Sequence, residues 1–310
     1  MAGLSASIGY SSPGSKHYSV RTDFTDHSMK WRNDETASAW FEGGVPFWIW
    51  STAFGADFTF TSIDYPGAER TVALRINDSG IIVGVFTVGS TDHAFSFDGT
   101  TFTAIDFPGA QSAAFAINNA GVVVGEYYVA TRTHGYSFDG TTFTSIDVPG
   151  ADDTFALGLN DAGVIVGFYR LGGVIHGYSF EGMTFTPINC GSGGSLVYGI
   201  NASGKMVVSN SDGHAFLRDG TTCMNIDVPG ASRTAVTGIN DGDQMVGFFS
   251  GGPLGASGVF RTTTTIGKVN FPGAQDTSAR KINNSGQIVG HYSAVAATFQ
   301  SHGFLLTPGP

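Results

Sequence analysis

Basic residues are scarce in this chain. Its 310 residues carry 15 Lys and Arg against 25 Asp and Glu, a formal net charge of −10. Nucleic acids and anionic membranes are bound through a basic face that displaces counterions, so this balance argues against both as partners. Charge of either sign is thin, at 13% of residues, about half the share of an ordinary soluble domain. No apolar run reaches the roughly 18 residues of a membrane-spanning helix. The 2 cysteines cannot build a disulfide scaffold, nor fill a structural zinc site without histidine. Catalytic phrases are missing too. There is no Gly-x-Ser-x-Gly elbow, no His-Glu-x-x-His, no phosphate loop and no dinucleotide fingerprint. Paired carboxylates for glycoside hydrolysis cannot be singled out, because their spacing is set by the fold.

What the chain has in excess is 45 Gly and 25 Phe, with many Val, Thr and Ile between them, the composition of a β-rich protein with many tight turns. It also repeats itself. The phrase Phe60-Thr-Ser-Ile-Asp-Tyr-Pro-Gly-Ala68 returns at 102–110, 143–151 and 223–231, with weaker copies from Phe185 and Ile266. A second phrase, Ile76-Asn-Asp-Ser-Gly-Ile-Ile-Val-Gly84, recurs from Ile117, Leu159, Ile200, Ile239 and Ile282. A third, His93-Ala-Phe-Ser-Phe-Asp-Gly99, follows each, degenerating at Ser257 and closing at His302–Leu306.

One unit of about 42 residues reads as four strands. Residues 71–77 form the first, turned by Asp78-Ser-Gly80; 80–87 form the second, ahead of a variable loop. Residues 93–97 form the third, and Asp98-Gly99 signals a hairpin into 102–106, stopped by Pro108. Repeated four-strand units predict an all-β, six-bladed β-propeller over 58–310. The last copy lacks a fourth strand, and a spare one, Phe58–Asp64, stands ahead of the first. That strand is expected to complete the last blade and close the ring, which also hides strand edges. Residues 1–57 do not repeat. Residues 1–36 read as an irregular leader. The Trp-rich 37–50 read as a segment packed on the ring, or else 45–56 as a buried export signal.

These phrases resemble the HAF repeats, a family of extracellular repeats named for His-Ala-Phe, as at 93–95 and 214–216. The Gly-Ile-Asn at 199–201 and 238–240 and the Ile-Val-Gly at 82–84 and 288–290 match as well. The resemblance spans 58–306 and implies a β-propeller with an extracellular or cell-envelope location; it brings no activity with it. Ser257 for His, Val208 for Gly and the missing Pro-Gly after Asn189 depart from the pattern.

Residues repeated in every blade read first as scaffold. Each His can reach the Asp that ends the fourth strand, as in His93 and Asp106, and pin the hairpin. The repeated Asn (77, 118, 160, 201, 240, 283) can bond its own turn, or form a ring of amides open to an ion or a sugar. Asn240-Asp241-Gly242-Asp243 faintly resembles a calcium loop but lacks its spaced carboxylates. Cys190 and Cys223, on adjacent blades, are expected to lie too far apart for a disulfide.

Residues that break the repeat carry more information. The inner strands present small residues toward the axis except at Arg75 and Lys281, and Arg280 breaks the opposite face. In a closed ring these three fall on neighbouring blades. They form either an anion site or a seam paired with Glu69 or Asp276. On the second strands the ionisable exceptions are Glu126 and His291, which would act as acid and base only if they shared a pocket. The long loops hold Tyr128, Arg132, Tyr169 and Arg170, with Asp152 and Asp153 nearby, a set suited to sugar or polymer contact. Two functions follow: a monomeric surface module binding carbohydrate or another polymer on its loop face, or a hydrolase or lyase at the channel mouth. No cofactor is expected beyond a structural cation in the channel.

Overall fold

The computed structural model describes residues 57–251, 257–263, 265–293 and 301–309, and the backbone of two strands, Ala6–Gly9 and His17–Arg21. The segment 37–50 and the export-signal reading of 45–56 lie outside the described residues. Six antiparallel blades of four strands surround one axis. Their inner strands are Arg70–Ile76, Gln111–Ile117, Asp153–Leu159, Ser195–Ile200, Arg233–Ile239 and Asp276–Ile282, in blades 1 to 6. The ring closes as expected. Asp57–Ile63 pairs antiparallel with His302–Pro308 as the fourth strand of blade 6, Ile63 opposite Gly303 and Phe58 opposite Pro308. Phe60 seals this latch, buried among Phe271, Phe304 and Leu306.

The leader is not wholly irregular. His17–Arg21 pairs with Asp57–Ile63, and Ala6–Gly9 pairs with His17–Arg21, so the sheet of blade 6 has six strands. The alternation there is too short to reveal strands, Ala6 and Ile8 and then Tyr18 and Val20, and it falls outside the repeat. What calls them is the unpaired edge of the closing strand, whose amides and carbonyls take any extended segment nearby.

Adjacent blades pack face to face through apolar wedges, such as Val83 and Ala94 of blade 1 against Ala114, Val123 and Tyr136 of blade 2. Close packing explains the repeated Gly of the second strand. A Cβ at Gly84 would stand 2.0 Å from the Val72 carbonyl oxygen and 2.9 Å from the Phe95 ring. Farther out, aromatic ladders tie neighbours together. Tyr65 of blade 6 stacks on Phe86 at 3.6 Å, and Phe86 on His93 at 5.1 Å. Phe107, Tyr127 and His134 repeat the ladder one blade on, and Phe271, Tyr292 and His302 repeat it at the latch. Each pair adds about 0.5–1.5 kcal/mol beyond its buried area.

The His–Asp pairing expected from the repeat is present in four blades. His93–Asp106, His134–Asp147, His214–Asp227 and His302–Asp64 bond at 2.7–2.9 Å. In blade 5, where Ser257 replaces His, its hydroxyl donates to Asn270, which replaces the Asp.

Cys190 and Cys223 correct an expectation: they form a disulfide, with Cα atoms 5.7 Å apart. The residue just past each fourth strand folds against the fourth strand of the next blade. Tyr65 meets Phe102 this way at 5.1 Å, and Phe107 meets Phe143 at 5.2 Å. Cys190 and Cys223 hold those two positions at the junction of blades 3 and 4, so a covalent staple replaces an aromatic contact. Treating the two as opposite strand ends overlooked that the link crosses to the neighbour. Replacing both with Ser (Cys190→Ser with Cys223→Ser) is expected to lower the unfolding free energy by about 3–4 kcal/mol. A reductant should depress the Tm of the native chain and leave that of the double variant in place, as differential scanning calorimetry would register.

Candidate functional site

The channel has a waist, a narrow mouth and a loop-face mouth, and the waist follows from the inner strands. Every inner strand shifts register once, skipping Leu74, Phe115, Leu157, Tyr198, Thr237 or Arg280. Such a bulge leaves the skipped residue out of the ladder. Five of these carbonyl oxygens receive the guanidinium of Arg75. Nη1 donates to Leu74 at 2.9 Å and to Arg280 at 3.4 Å; Nη2 donates to Leu157, Tyr198 and Thr237 at 3.2, 2.7 and 3.1 Å. Burial, and then the nearby Arg280, pull the Arg75 pKa down to about 9, so the plug is cationic at neutral pH. The room for it comes from Gly158, Gly199 and Gly238 at the same register. A Cβ at Gly238 would stand 2.7 Å from the Arg280 carbonyl oxygen.

The three cations of the expected anion site or seam therefore point to three places. Arg75 spends its donors on carbonyls, not on Glu69 or a ligand. Lys281 donates to the Ile239 carbonyl below the narrow mouth. Burial, then Arg75, bring Lys281 down to about 8, against the pull of Asp241, Asp78 and Asp161. Arg280 lies on the loop-face side, its guanidinium 5.4 Å from the Phe248 ring centroid. Their shared register break in the sequence is real; the shared destination is not.

At the narrow mouth the turn role and the ring role of the Asn are one arrangement. Each Asn Oδ1 accepts from its own turn, as from Ile81 N–H at 2.9 Å. Each Nδ2 donates to the next Asn carbonyl, from Asn77 to Asn118 around to Asn283 and back to Asn77, at 3.0–3.4 Å. These amides are occupied by the scaffold. A second ring sits outside the first. Asp78, Asn119, Asp161, Ala202, Asp241 and Asn284 follow one another, and Asn119 and Asn284 each bridge two carboxylates at 2.8 Å. Burial opposes ionisation of Asp78, but the Asn284 N–H and the two bridging amides outweigh it and hold the carboxyl below its usual range. The faint calcium loop is spoken for as well: Asp241 accepts from Ala202 N–H and Asn284, and Asp243 pairs with Lys205. Among the described residues no group of His, Cys, Asp or Glu is placed to hold a metal ion.

The loop-face wall is built from second-strand residues that lean on the next inner strand, as Val85 does on Val72, Leu74 and Ala113. Glu126 and His291 hold this position in blades 2 and 6, and the structure does not bring them together. Burial, then Asp92 and Asp153, raise Glu126 to about 7 against Arg170. Burial, then Arg280 and Arg70, push His291 down to about 3. The wall is thus acidic at blades 2 and 3 and basic at blades 5, 6 and 1.

The loop candidates divide. Tyr128 is exposed. Tyr169 stacks on His176 at 5.0 Å, and Arg170 lies over Phe155 and pairs with Asp153 at 3.6 Å. Asp152 accepts from Gly172 N–H, Asp153 accepts from Thr133 N–H, and Arg132 donates to the Ala151 and Asp152 carbonyls. This group locks the loops of blades 2 and 3 to each other. Reading the loops one residue at a time missed an apolar rim beside it. Val88, Tyr128, Val129, Leu171 and Val174 are about half exposed and stand at the strand ends that flank the turns between second and third strands of blades 1, 2 and 3. Its signal in the sequence was apolar residues beside the turns, at hairpin tips where exposed strand ends should be polar.

Fold and channel together define a six-bladed β-propeller. Neither a family model nor a curated protein matches the chain. Among solved structures, that of streptogramin B lyase matches with a TM-score of 0.52 at 12% identity, over 81% of this chain and 98% of that one. AofleA from Arthrobotrys oligospora matches with a TM-score of 0.48 at 10% identity, over 82% of this chain and 93% of that one. At such identities the likeness concerns the fold alone.

Removing the plug should be felt throughout the ring. Arg75→Met leaves five buried carbonyls without their donor and is expected to lower the unfolding free energy by about 3–5 kcal/mol in urea titrations, with Arg75→Lys in between. The Glu126 carboxyl binds its proton more tightly folded than unfolded. Its contribution is therefore full below the unfolded pKa of 4.5 and is lost as pH rises through about 7. Glu126→Gln is expected to match the native stability near pH 4.5 and exceed it by on the order of 1 kcal/mol at about pH 8, measured by urea unfolding at both.

Proposed function

We propose that the protein is a non-catalytic, secreted or surface-borne module that binds an extended polymer, carbohydrate by class, across its loop face. One observation carries this reading. Of the seven exposed large hydrophobics among the described residues, five line the rim of three consecutive blades. Single exposed apolar side chains are ordinary, whereas an arc of them beside a channel mouth is a contact surface. The cavities at the narrow mouth and the waist measure about 60 and 10 Å³, too small to enclose a sugar ring, so the ligand lies on a surface. Locked loops hold the rim in place before binding, which reduces the ordering cost. The Cys190–Cys223 disulfide suits an oxidising compartment, and the HAF-like phrases at His93 and His214 favour an extracellular or envelope location. A closed, monomeric ring with its rim free fits that role.

A second reading has its own observation. Glu126, held near pKa 7 on the channel wall, has the protonation behaviour of a general acid, which would suit a hydrolase or lyase. The carboxylates that act on it are already engaged, Asp92 with Arg70 and Asp153 with Arg170, and for that reason binding comes first.

Retention on immobilised polysaccharides separates the two. Tyr128→Ala combined with Leu171→Ser should weaken retention about fivefold or more at unchanged Tm, while Glu126→Gln retains it. Failure of the native protein to be retained on any neutral or acidic polysaccharide would sink the binding reading. Turnover of a polysaccharide or ester that Glu126→Gln abolishes in a folded protein would replace it with the enzyme.

A further inference from the structure

The basic side of the channel wall poses a problem of charge. Arg280 is partly exposed to the channel, but its Nε is shielded from water with no hydrogen-bond partner among the described residues. Its side chain donates to no group among the described residues, and no carboxylate pairs with it. Its neighbours make matters worse: Arg70 acts on it repulsively, and Arg280 in turn weakens the hold of Arg75 on its proton. Arg233 lies over the same Phe248 ring, at 5.9 Å. A partly buried guanidinium without a counter-charge holds its charge by facing water, and an anion arriving there would replace that water with a direct partner. This chain has acids to spare, at 25 against 15 bases, yet among the described residues it pairs Asp92 with Arg70, at 3.9 Å, and none with Arg280.

The orphaned atoms point the same way. Five buried side-chain polar atoms lack a partner among the described residues, and three of them are on the channel wall: Ser209 Oγ, Arg280 Nε and His291 Nδ1. Unsatisfied buried groups are rare in folded proteins and each needs a reason. His291 adds a neutral imidazole, and Tyr198 of blade 4 is close enough to Arg280 and Arg233 to feel both charges. Blade 6 thus contributes a guanidinium and an imidazole and blade 4 a phenol, while Phe248 of blade 5, between them, supplies an apolar surface shared by the two arginines. A guanidinium presents a planar fork of donors matched to a carboxylate. Hydroxyl and imidazole groups beside it match the hydroxyls of a sugar.

We infer that Arg280, His291 and Tyr198 form a subsite at the loop-face mouth for the carboxylate of a sugar acid, a uronate, with the guanidinium taking the carboxylate. The inference rests on the binding-module reading and deepens it: the polymer held on the rim of blades 1 to 3 is acidic, and the wall of blades 4 to 6 reads its charge. The acidic wall at Glu126, across the ring, keeps the carboxylate to one side.

The test uses the full chain with glucuronate and galacturonate as probes, glucose and galactose as neutral controls, and sulfate as an inorganic anion. Both uronates should raise the Tm saturably and shift the His291 imidazole resonances, and the neutral sugars should do neither. Arg280→Met should weaken uronate affinity about tenfold to a hundredfold. Tyr198→Phe, which keeps the ring and removes only the hydroxyl, serves where Arg280→Met does not fold, and should weaken affinity a few-fold. Equal responses to uronate and neutral sugar, equal responses to uronate and sulfate, or an unchanged affinity in folded Arg280→Met would each overturn the inference. Retention of neutral polysaccharides with no response to uronates would overturn it and leave the binding-module reading standing. Uronate binding that depends on Arg280, without retention of any polymer, would do the reverse.

Discussion

Six inner strands cannot meet at one axis without leaving backbone carbonyls there, and the structure is organised around satisfying them. Each inner strand bulges once near the axis, and five of the skipped carbonyls converge on a single guanidinium, that of Arg75. Arginine suits this place because its fork of donors is planar and fixed, so it can serve several acceptors without rearranging. Only one such group fits. The repeats therefore have to differ at this register, with Arg and Lys in blades 1 and 6 and Gly in blades 3, 4 and 5. The closing latch brings those two cationic blades side by side.

Outward from the axis, each shell meets the same need with weaker and more repetitive chemistry. The Asn ring ties each blade to the next through one amide and its own turn through the other end of that side chain. Apolar wedges fill the space between sheets, and aromatic ladders ending on His close the rim of three of them. Where one blade loses a member, its partner changes with it: Ser257 with Asn270 in place of His with Asp, and Cys190 with Cys223 in place of two aromatics. Paired replacement shows that the contact, rather than either residue, is what the repeat preserves.

Repetition and function occupy different residues for a physical reason. A side chain present in every blade has a neighbour in every blade, and its polar groups are used up there. The axial Asn is the full case, and the histidines follow it in the four blades where they meet an Asp. Only departures from the pattern leave groups over: Arg280 and His291 on the basic wall, Glu126 on the acidic wall, and apolar turn residues on blades 1 to 3. The scaffold's likeness to other propellers thus says little about the ligand, because the ligand-facing residues are those the scaffold does not need.

Blade number, strand order, the latch and the His–Asp pairs were legible in the chain alone, since they depend on local turn chemistry and a period that repeats six times. Arg75, Arg280 and Lys281 were legible as exceptions, but not in their roles. Which way a side chain leaves a bulged strand depends on register shifts that leave no mark in the spacing of residues. The disulfide was misjudged for a related reason: the distance between Cys190 and Cys223 is set by how the link of one blade crosses to the next. Local propensity and periodicity decided the architecture of this protein. Convergence of six blades on one axis decided which cation is a plug, which belongs to the narrow mouth, and which lies on the loop-face wall, because only closure brings residues from opposite ends of the chain into one electric field.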